Sequence, residues 1–325
     1  MSSRRTALVT GITGQDGLYL AELLASKGYE VHGLIHGHDN PKRTLVERLV
    51  PAVVLHEGDL TDFASITRAL EASDPDEVYN LAAVSFVAQS FESALHATAV
   101  SGQGALAVLE AIRLQDPDRR VRFYQASSSE MFGRAVESPQ NETTRLHPRS
   151  PYGAAKAFAH HVTVNYREAH GMHASSGILY NHESPRRGAE FVTRKITRSV
   201  ARISLGLQDE LRLGNLAAAR DWGFAGDYVE SMWRMLQQYE PDDYVIATGV
   251  AHTVRDFLAA AFAHVGIDDW QRHVSVDPAF FRPVDVEHLV GDPSKAREAL
   301  DWKPTTTFEE LVRDMVDADL AAEGT

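Results

Sequence analysis

Cysteine is absent from the 325 residues, so the chain can form neither a disulfide nor a thiolate metal site. Long apolar runs are missing as well. None approaches the ~20 residues of a membrane-spanning helix, although 44% of the chain is hydrophobic, enough for a large core. The first strand-like run begins by Thr6, which leaves no room for a signal peptide. A soluble, cytoplasmic chain with no membrane partner is therefore expected. Positive charge is scarce: the net charge is −13 and the basic residues form no long runs, which disfavours a nucleic-acid partner. A few local arginines still suffice to hold an anionic ligand. Fifteen histidines are present, but no His-Glu-x-x-His pattern or set of carboxylate partners accompanies them. His160 and His161 are adjacent and point apart on a helix, so no metal is expected. Internal repeats and low-complexity stretches are also lacking.

What is present begins with Ser150-Pro151-Tyr152-Gly153-Ala154-Ala155-Lys156 and, upstream, Ser127-Ser128-Ser129-Glu130. Pro151 suits a first helical position, so Tyr152 and Lys156 share one helix face at i and i+4. A nearby ammonium favours the phenolate and lowers a tyrosine pKa from its usual ~10. A phenol so tuned can take a proton from a sugar hydroxyl while a nicotinamide takes the hydride. Taken alone, the pair also fits a helix that merely carries a Tyr and a Lys, and Glu130 alone fits a cap or an ion pair after a strand.

Along the chain, strands and helices alternate. Strand runs fall at Thr6–Thr10, Tyr29–Ile35, Val53–Asp59, Glu77–Leu81, Val121–Ala126 and Ala174–Tyr180, with helices after Gly17, near Ile66–Leu70, over Ala94–Arg113 and from Tyr152. This order predicts an α/β fold, a Rossmann-type doubly wound parallel sheet. The second half carries arginine-bearing loops between helices near Val192–Leu205, Tyr228–Gln238 and Val254–His264, which predicts a smaller, mostly helical lobe over the carboxyl edge of the sheet, where ligands bind. The expected division is residues 1–180 plus about 219–250 for the dinucleotide-binding domain, and about 181–218 plus 251–325 for the substrate lobe.

Gly11-x-x-Gly14-x-x-Gly17 follows a strand and opens a helix, as a pyrophosphate site requires. Asp59 ends the third strand, where it suits either an adenine amino group or a cap for the helix from Thr61 onward. Small residues Leu81-Ala82-Ala83 leave room for a cofactor. The end of the second strand reads Leu34-Ile35-His36-Gly37-His38-Asp39-Asn40-Pro41-Lys42-Arg43. An acidic residue there binds a ribose 2′-hydroxyl and an Arg a 2′-phosphate. His36 is neither; Lys42 and Arg43 suit a phosphate and Asp39 opposes one, so NAD and NADP both stay open.

These stretches, with Asn181-His182-Glu183-Ser184-Pro185-Arg186-Arg187-Gly188, Phe191-Val192-Thr193-Arg194-Lys195-Ile196, Arg220-Asp221-Trp222-Gly223, Phe281-Arg282-Pro283 and Gly291-Asp292-Pro293-Ser294-Lys295-Ala296, resemble the extended short-chain dehydrogenase/reductases and, within them, the GDP-mannose 4,6-dehydratases. The resemblance spans nearly the whole chain. It implies NADP, held by Gly11, Thr13, Gly14, Gln15, Asp16, Gly17, Asp59, Leu60, Leu81, Ala82, Ala83, Ser85, Tyr152, Lys156, His182 and Arg187, with His36 at the 2′ position. It implies a nucleotide-sugar site at Ser85, Asn181, Val192, Lys195, Arg220, Arg282 and Glu287. Arginines and a lysine suit a diphosphate, although each Arg taken singly fits a surface ion pair. The family usually has Arg where His36 stands and Thr where Ser128 stands.

The resemblance further implies a catalytic set of Ser128, Glu130, Tyr152 and Lys156, a homodimer or homotetramer, and the conversion of GDP-mannose to its 4-keto-6-deoxy product. In that scheme Tyr152 takes the 4-hydroxyl proton, Ser128 hydrogen-bonds the same oxygen, and Glu130 removes the C5 proton and assists loss of the 6-hydroxyl. Another nucleotide-sugar 4,6-dehydratase, a 4-epimerase or a 4-keto reductase on the same scaffold is the nearest alternative. A cofactor-sensing binding protein is the alternative outside enzymes.

Overall fold

The first half of the chain is a succession of short strands, each followed by a helix. A computed structural model describes residues 4–37, 39–281 and 288–324. In chain order the first elements are β1 (Thr6–Thr10), α1 (Gln15–Ser26), β2 (Glu30–Ile35), α2 (Arg43–Leu49), β3 (Val54–Glu57), α3 (Phe63–Ser73), β4 (Glu77–Asn80), α4 (Val87–Glu92), α5 (Ala94–Thr98), α6 (Gly104–Gln115), β5 (Arg122–Ser128), α7 (Pro151–His170) and β6 (His173–Leu179). Then follow β7 (Asn181–Glu183), α8 (Val192–Ser204), β8 (Leu211–Leu213), β9 (Ala219–Phe224), α9 (Ala225–Gln237), β10 (Asp243–Ile246), β11 (Ala251–Thr253), α10 (Val254–His264), β12 (Val274–Val276), β13 (His288–Leu289), α11 (Ser294–Leu300) and α12 (Phe308–Glu323).

Seven strands pair in parallel in the order β10-β6-β5-β4-β1-β2-β3. This is the doubly wound parallel sheet that the alternation predicts. The order reverses between β1 and β4, and ligands of such sheets sit in the crevice at that reversal. Parallel strands are buried on both faces. One face packs against α1 and α9 through Leu20, Leu24, Met232 and Leu236. The other packs against α3 and α6 through Ile66, Leu70, Val108 and Ile112.

The smaller lobe has its own core, built from Ile196 and Val200 of α8, Phe257 and Phe262 of α10, and Leu311 and Met315 of α12. It also carries a four-stranded sheet in which β9 pairs with β7, β11 and β13. The chain's return to the large sheet begins after Phe224, not at residue 219. β9 belongs to the small sheet, α9 packs on α1, and β10 extends the large sheet beside β6.

The helix expected over Ala94–Arg113 is interrupted. α5 and α6 are joined by a wider π-type turn at Ala99–Gln103. Glycines mark the spot, since a Cβ at Gly104 would come within 2.9 Å of Leu60 Cβ. Asp59 does not cap the following helix. Asp62 does, accepting from the Ala64 amide at 3.1 Å.

The lobe that carries α8 is tied down by a buried charge. Asp319 of α12 is fully buried and accepts from Arg194 Nη2 at 2.7 Å and from Thr197 Oγ1 at 2.7 Å, both on α8. Arg194 also donates to the Pro185 carbonyl, so one side chain links α12, α8 and the loop before it. Removing one partner of such a pair strands the other charge in a dry setting. Asp319→Asn is therefore expected to cost about 3–5 kcal/mol, read as a lower urea midpoint of the small lobe.

Candidate active site

Helix α7 delivers the Tyr and Lys as the sequence suggests. Ser150 caps it by accepting from the Gly153 amide at 3.0 Å, Pro151 takes the first turn, and Gly171 ends it at φ +63°. Tyr152 and Lys156 are both buried, with the ammonium 5.8 Å from the phenol ring centre. Glu130 lies in a short 3-10 turn directly after β5, started by Ser128, whose hydroxyl accepts from the Glu130 amide at 3.3 Å. This turn and α7 meet at Gly153. A Cβ there would sit 2.7 Å from the Glu130 carbonyl oxygen, so only glycine lets the Glu130 backbone approach the residue next to Tyr152.

These groups open into a cleft of about 1110 Å3 along the carboxyl edge of the large sheet. Gly11, Thr13, Gly14, Gln15, Asp16, Gly17, Leu81, Ala82, Ala83 and Ser85 line one part. Ser128, Glu130, Tyr152 and Lys156 lie with them, and Asn181, His182, Arg187, Val192, Lys195 and Arg220 line the small-lobe side. His36, Asp59 and Leu60 are not on the cleft wall. His36 follows β2 and is largely exposed, its Nδ1 paired with Asp59 Oδ2 at 3.0 Å. The other Asp59 oxygen accepts from the Thr61 amide at 2.7 Å. That amide, foremost, and the facing His36 hold the Asp59 carboxyl below the usual range. Leu60 packs in the core beneath α6. Arg282 and Glu287 lie outside the described residues.

The residues present suit a dinucleotide. Helix α1 starts at Gly14 with no side-chain cap, so its first amides face the cleft as an anion site. Gly11 adopts φ +71°, and a Cβ there would meet the Ala82 nitrogen at 2.7 Å, so the glycine turn seats the backbone flush against the strand-four loop. Asp16 is locked behind this turn: His182 Nε2 meets its carboxylate at 2.8 Å, and His182 Nδ1 donates to the Tyr180 carbonyl at 2.7 Å. Burial opposes the Asp16 charge, yet His182 overcomes it and the carboxyl is held low; burial likewise opposes the imidazolium, and Asp16 holds the His182 pKa up.

Electrostatics at the Tyr152 pair run against the expectation from spacing. Burial pushes the phenol up to about 12, with Glu130 adding to the rise and the hydrogen bond from Ser128 opposing it. The same dryness pulls Lys156 down to about 8. Spacing reveals the neighbour but not the loss of water around both groups. The Lys156 ammonium instead donates to the Ala126 carbonyl at 2.7 Å.

Sequence reading overlooked an aromatic wall. Phe86 and Phe191 meet edge to face at 5.6 Å, and the Arg187 guanidinium lies 3.6 Å from the Phe191 ring centre while pairing with Glu183 at 3.0 Å. Glu183 in turn accepts from Thr193 Oγ1 at 2.6 Å. None of Glu183, Arg187 and Phe191 lies on a helix, so no helical spacing marks the cluster in the sequence. Lys195 lies 3.7 Å from the Phe280 ring centre and donates to the Arg212 carbonyl, and burial lowers its pKa. Among the described residues no group of histidines and carboxylates is arranged to hold a metal ion, and no helix is long and apolar enough to cross a membrane.

Sheet order, glycine turn and Tyr/Lys helix together define a Rossmann-type short-chain dehydrogenase/reductase architecture. A solved UDP-glucose 4-epimerase from Thermus thermophilus, complexed with NAD, matches at 29% identity and a TM-score of 0.85 over 98% of this chain and 99% of that one. A solved dTDP-glucose 4,6-dehydratase from Streptomyces venezuelae, at 23% identity and TM-score 0.85 over 98% of each chain, shares the fold. The family model described as GDP-mannose 4,6 dehydratase matches residues 8–315. The GDP-mannose 4,6 dehydratase 1 of Arabidopsis thaliana is 56% identical over 98% of this chain and 90% of its own length. The human GDP-mannose 4,6 dehydratase is 48% identical over 98% and 92% respectively. The chain belongs to the GDP-mannose 4,6-dehydratase family.

Proposed function

We propose that this chain converts GDP-mannose to GDP-4-keto-6-deoxy-mannose, with NADP as its resident cofactor. The observation that carries the reading is Glu130: a carboxylate placed beside the buried Tyr152 in a cleft large enough for a dinucleotide and a nucleotide sugar. A 4-epimerase needs no base at C5, and a dehydratase does. When bound, a nicotinamide supplies a hydride acceptor for C4 and returns the hydride at C6.

The rest falls to the protein. Tyr152, in its phenolate form beside Lys156, takes the proton of the 4-hydroxyl, and Ser128 hydrogen-bonds that oxygen. The 4-ketone then acidifies C5. Glu130 removes the C5 proton and delivers it to the departing 6-hydroxyl, so one carboxyl serves as base and then acid. The proton held by Tyr152 is left to restore C5, and water is the only net loss. Arg187, Lys195 and Arg220 line the small-lobe side of the cleft and suit the diphosphate and sugar hydroxyls. Incubation with GDP-mannose and no added reductant tests the reading. A product lighter by one water is expected; unchanged mass with inverted C4 would mean an epimerase, and no turnover a binding protein.

Two finer readings accompany it. A homodimer or homotetramer in the cytoplasm suits such an enzyme, and light scattering reads the assembly. At the 2′ position His36 offers a 2′-phosphate less than an arginine would, because Asp59 stands 3.0 Å away. His36→Arg is expected to tighten NADP relative to NAD by roughly tenfold or more, the worth of one charge-assisted hydrogen bond. Calorimetric titration of cofactor-free protein with each dinucleotide measures it, and an unchanged ratio would place the 2′ site elsewhere.

A further inference from the structure

One buried feature lies behind the cleft wall and reaches it only at its two ends. Thr10, Asn80 and Gln125 stand at matched positions on β1, β4 and β5, one strand beside the next. All three are buried, and none lines the cleft. Their side chains bond in series. The Ala82 amide donates to Thr10 Oγ1 at 3.2 Å, and Thr10 Oγ1 donates to Asn80 Oδ1 at 2.7 Å. Asn80 Nδ2 donates to Gln125 Oε1 at 2.8 Å, and Gln125 Nε2 donates to the Ala126 carbonyl at 2.9 Å. That carbonyl is the acceptor of Lys156 Nζ.

The polarity of this series is fixed at both ends by groups that cannot turn over. Ala82 N–H can only donate, so the Thr10 hydroxyl proton is free for Asn80. The Ala126 carbonyl can only accept, so the Gln125 amide must present its nitrogen there. The two constraints agree, and every link runs in one direction from the strand-four loop to the lysine. Sheet cohesion alone would be met by apolar residues in place of Asn80 and Gln125, at no desolvation cost. Three buried polar side chains that end on the acceptor of Lys156 are a costlier arrangement with a specific endpoint.

We propose that Thr10, Asn80 and Gln125 are positioning residues that link the cofactor-facing Ala82 loop to Lys156, with Gln125 sharing and orienting the carbonyl that holds the ammonium. Seating a ligand against Ala82 then acts on the same hydrogen-bonded series that places Lys156 beside Tyr152. The claim rests on the dehydratase reading for its consequence in catalysis, but not for its direct test. The charged group facing Lys156 from the packed elements is Asp16 on α1, and its own helix presents the Tyr152 phenol.

Gln125→Glu keeps the shape and the bond from Asn80 but, when ionised, donates nothing to Ala126. The carbonyl is left to the ammonium and an anion is added nearby, so both changes favour charged Lys156. Titration of 13C-lysine-labelled protein by NMR is expected to show the Lys156 midpoint moved upward from that of the unaltered chain. Thr10→Val, which touches neither Lys156 nor Ala126, should move it in the same sense by less. With GDP-mannose, Gln125→Glu should lower kcat roughly 10- to 100-fold, the scale of a small misplacement of a reacting group, at nearly unchanged KM. Thermal melts of both variants identify loss of fold, and Gln125→Met supplies a neutral replacement if the carboxylate is not tolerated. A Lys156 midpoint that stays put in folded variants, with only Tm falling, overturns the proposal and leaves the series as sheet cement. An unaltered chain that releases no keto-sugar overturns the functional reading instead, while the NMR shift still decides whether the series positions Lys156.

Discussion

Glu130→Gln is expected to abolish release of keto-sugar, lowering kcat by about 10²–10⁴-fold, the usual worth of a positioned acid–base group. The amide has nearly the shape of the carboxylate, so the turn after β5 and the Gly153 contact should survive. What is lost is the ability to hold the C5 proton and hand it to the 6-hydroxyl. Oxidation at C4 does not use Glu130. The variant should therefore accumulate reduced cofactor on the protein when GDP-mannose is added, visible as nicotinamide absorbance without product. Dehydration at the unaltered rate would remove Glu130 from the mechanism.

Tyr152→Phe is expected to act one step earlier, with a loss of similar size. The phenol is buried beside Glu130 and Ser128, and its deletion should leave the fold intact because the ring stays. No proton acceptor then remains at O4, so neither reduced cofactor nor keto-sugar forms. The two variants thus differ in a spectroscopic readout, although both release no product. The pH profile adds a sign. Burial sets the phenol near 12 and the ammonium near 8. An ammonium favours the phenolate, and it is lost as pH rises through about 8. The form that pairs phenolate with ammonium grows with pH up to about 8 and is level beyond it, so the kcat of the unaltered protein should rise to a plateau near that pH. A profile still rising well beyond it would mean that Lys156 does not assist Tyr152 by charge.

Much of this site was legible before any fold. The glycine turn, the Ser150-Pro151 helix start and the Tyr152–Lys156 spacing each carry a local rule, and local rules survive folding. The overlooked parts are non-local. Helix α12 carries a readable capping box, Thr307 with Glu310, yet the reason it matters, Asp319 reaching Arg194, lies more than a hundred positions away. The strands of the small sheet that hold Arg220 and Asn181 are six and three residues long. The three-residue run is too short for alternation to show. The Tyr152 shift was misjudged because a sequence shows which charges are near but not how dry they are. The Thr10-Asn80-Gln125 series draws on three strands whose adjacency exists only once the sheet order is known. Asp59 was open between an adenine contact and a helix cap; Asp62 takes the cap, and Asp59 pairs with His36.

The central claim is that Tyr152 and Glu130 work on neighbouring carbons of one hexose, so that the hydrogen leaving C4 ends on C6. GDP-mannose deuterated at C4, incubated with the protein and no added reductant, tests it most directly. The account predicts deuterium in the C6 methyl group of a 4-keto product, read by NMR. Deuterium still at C4 of an intact hexose, or lost to solvent, would contradict it.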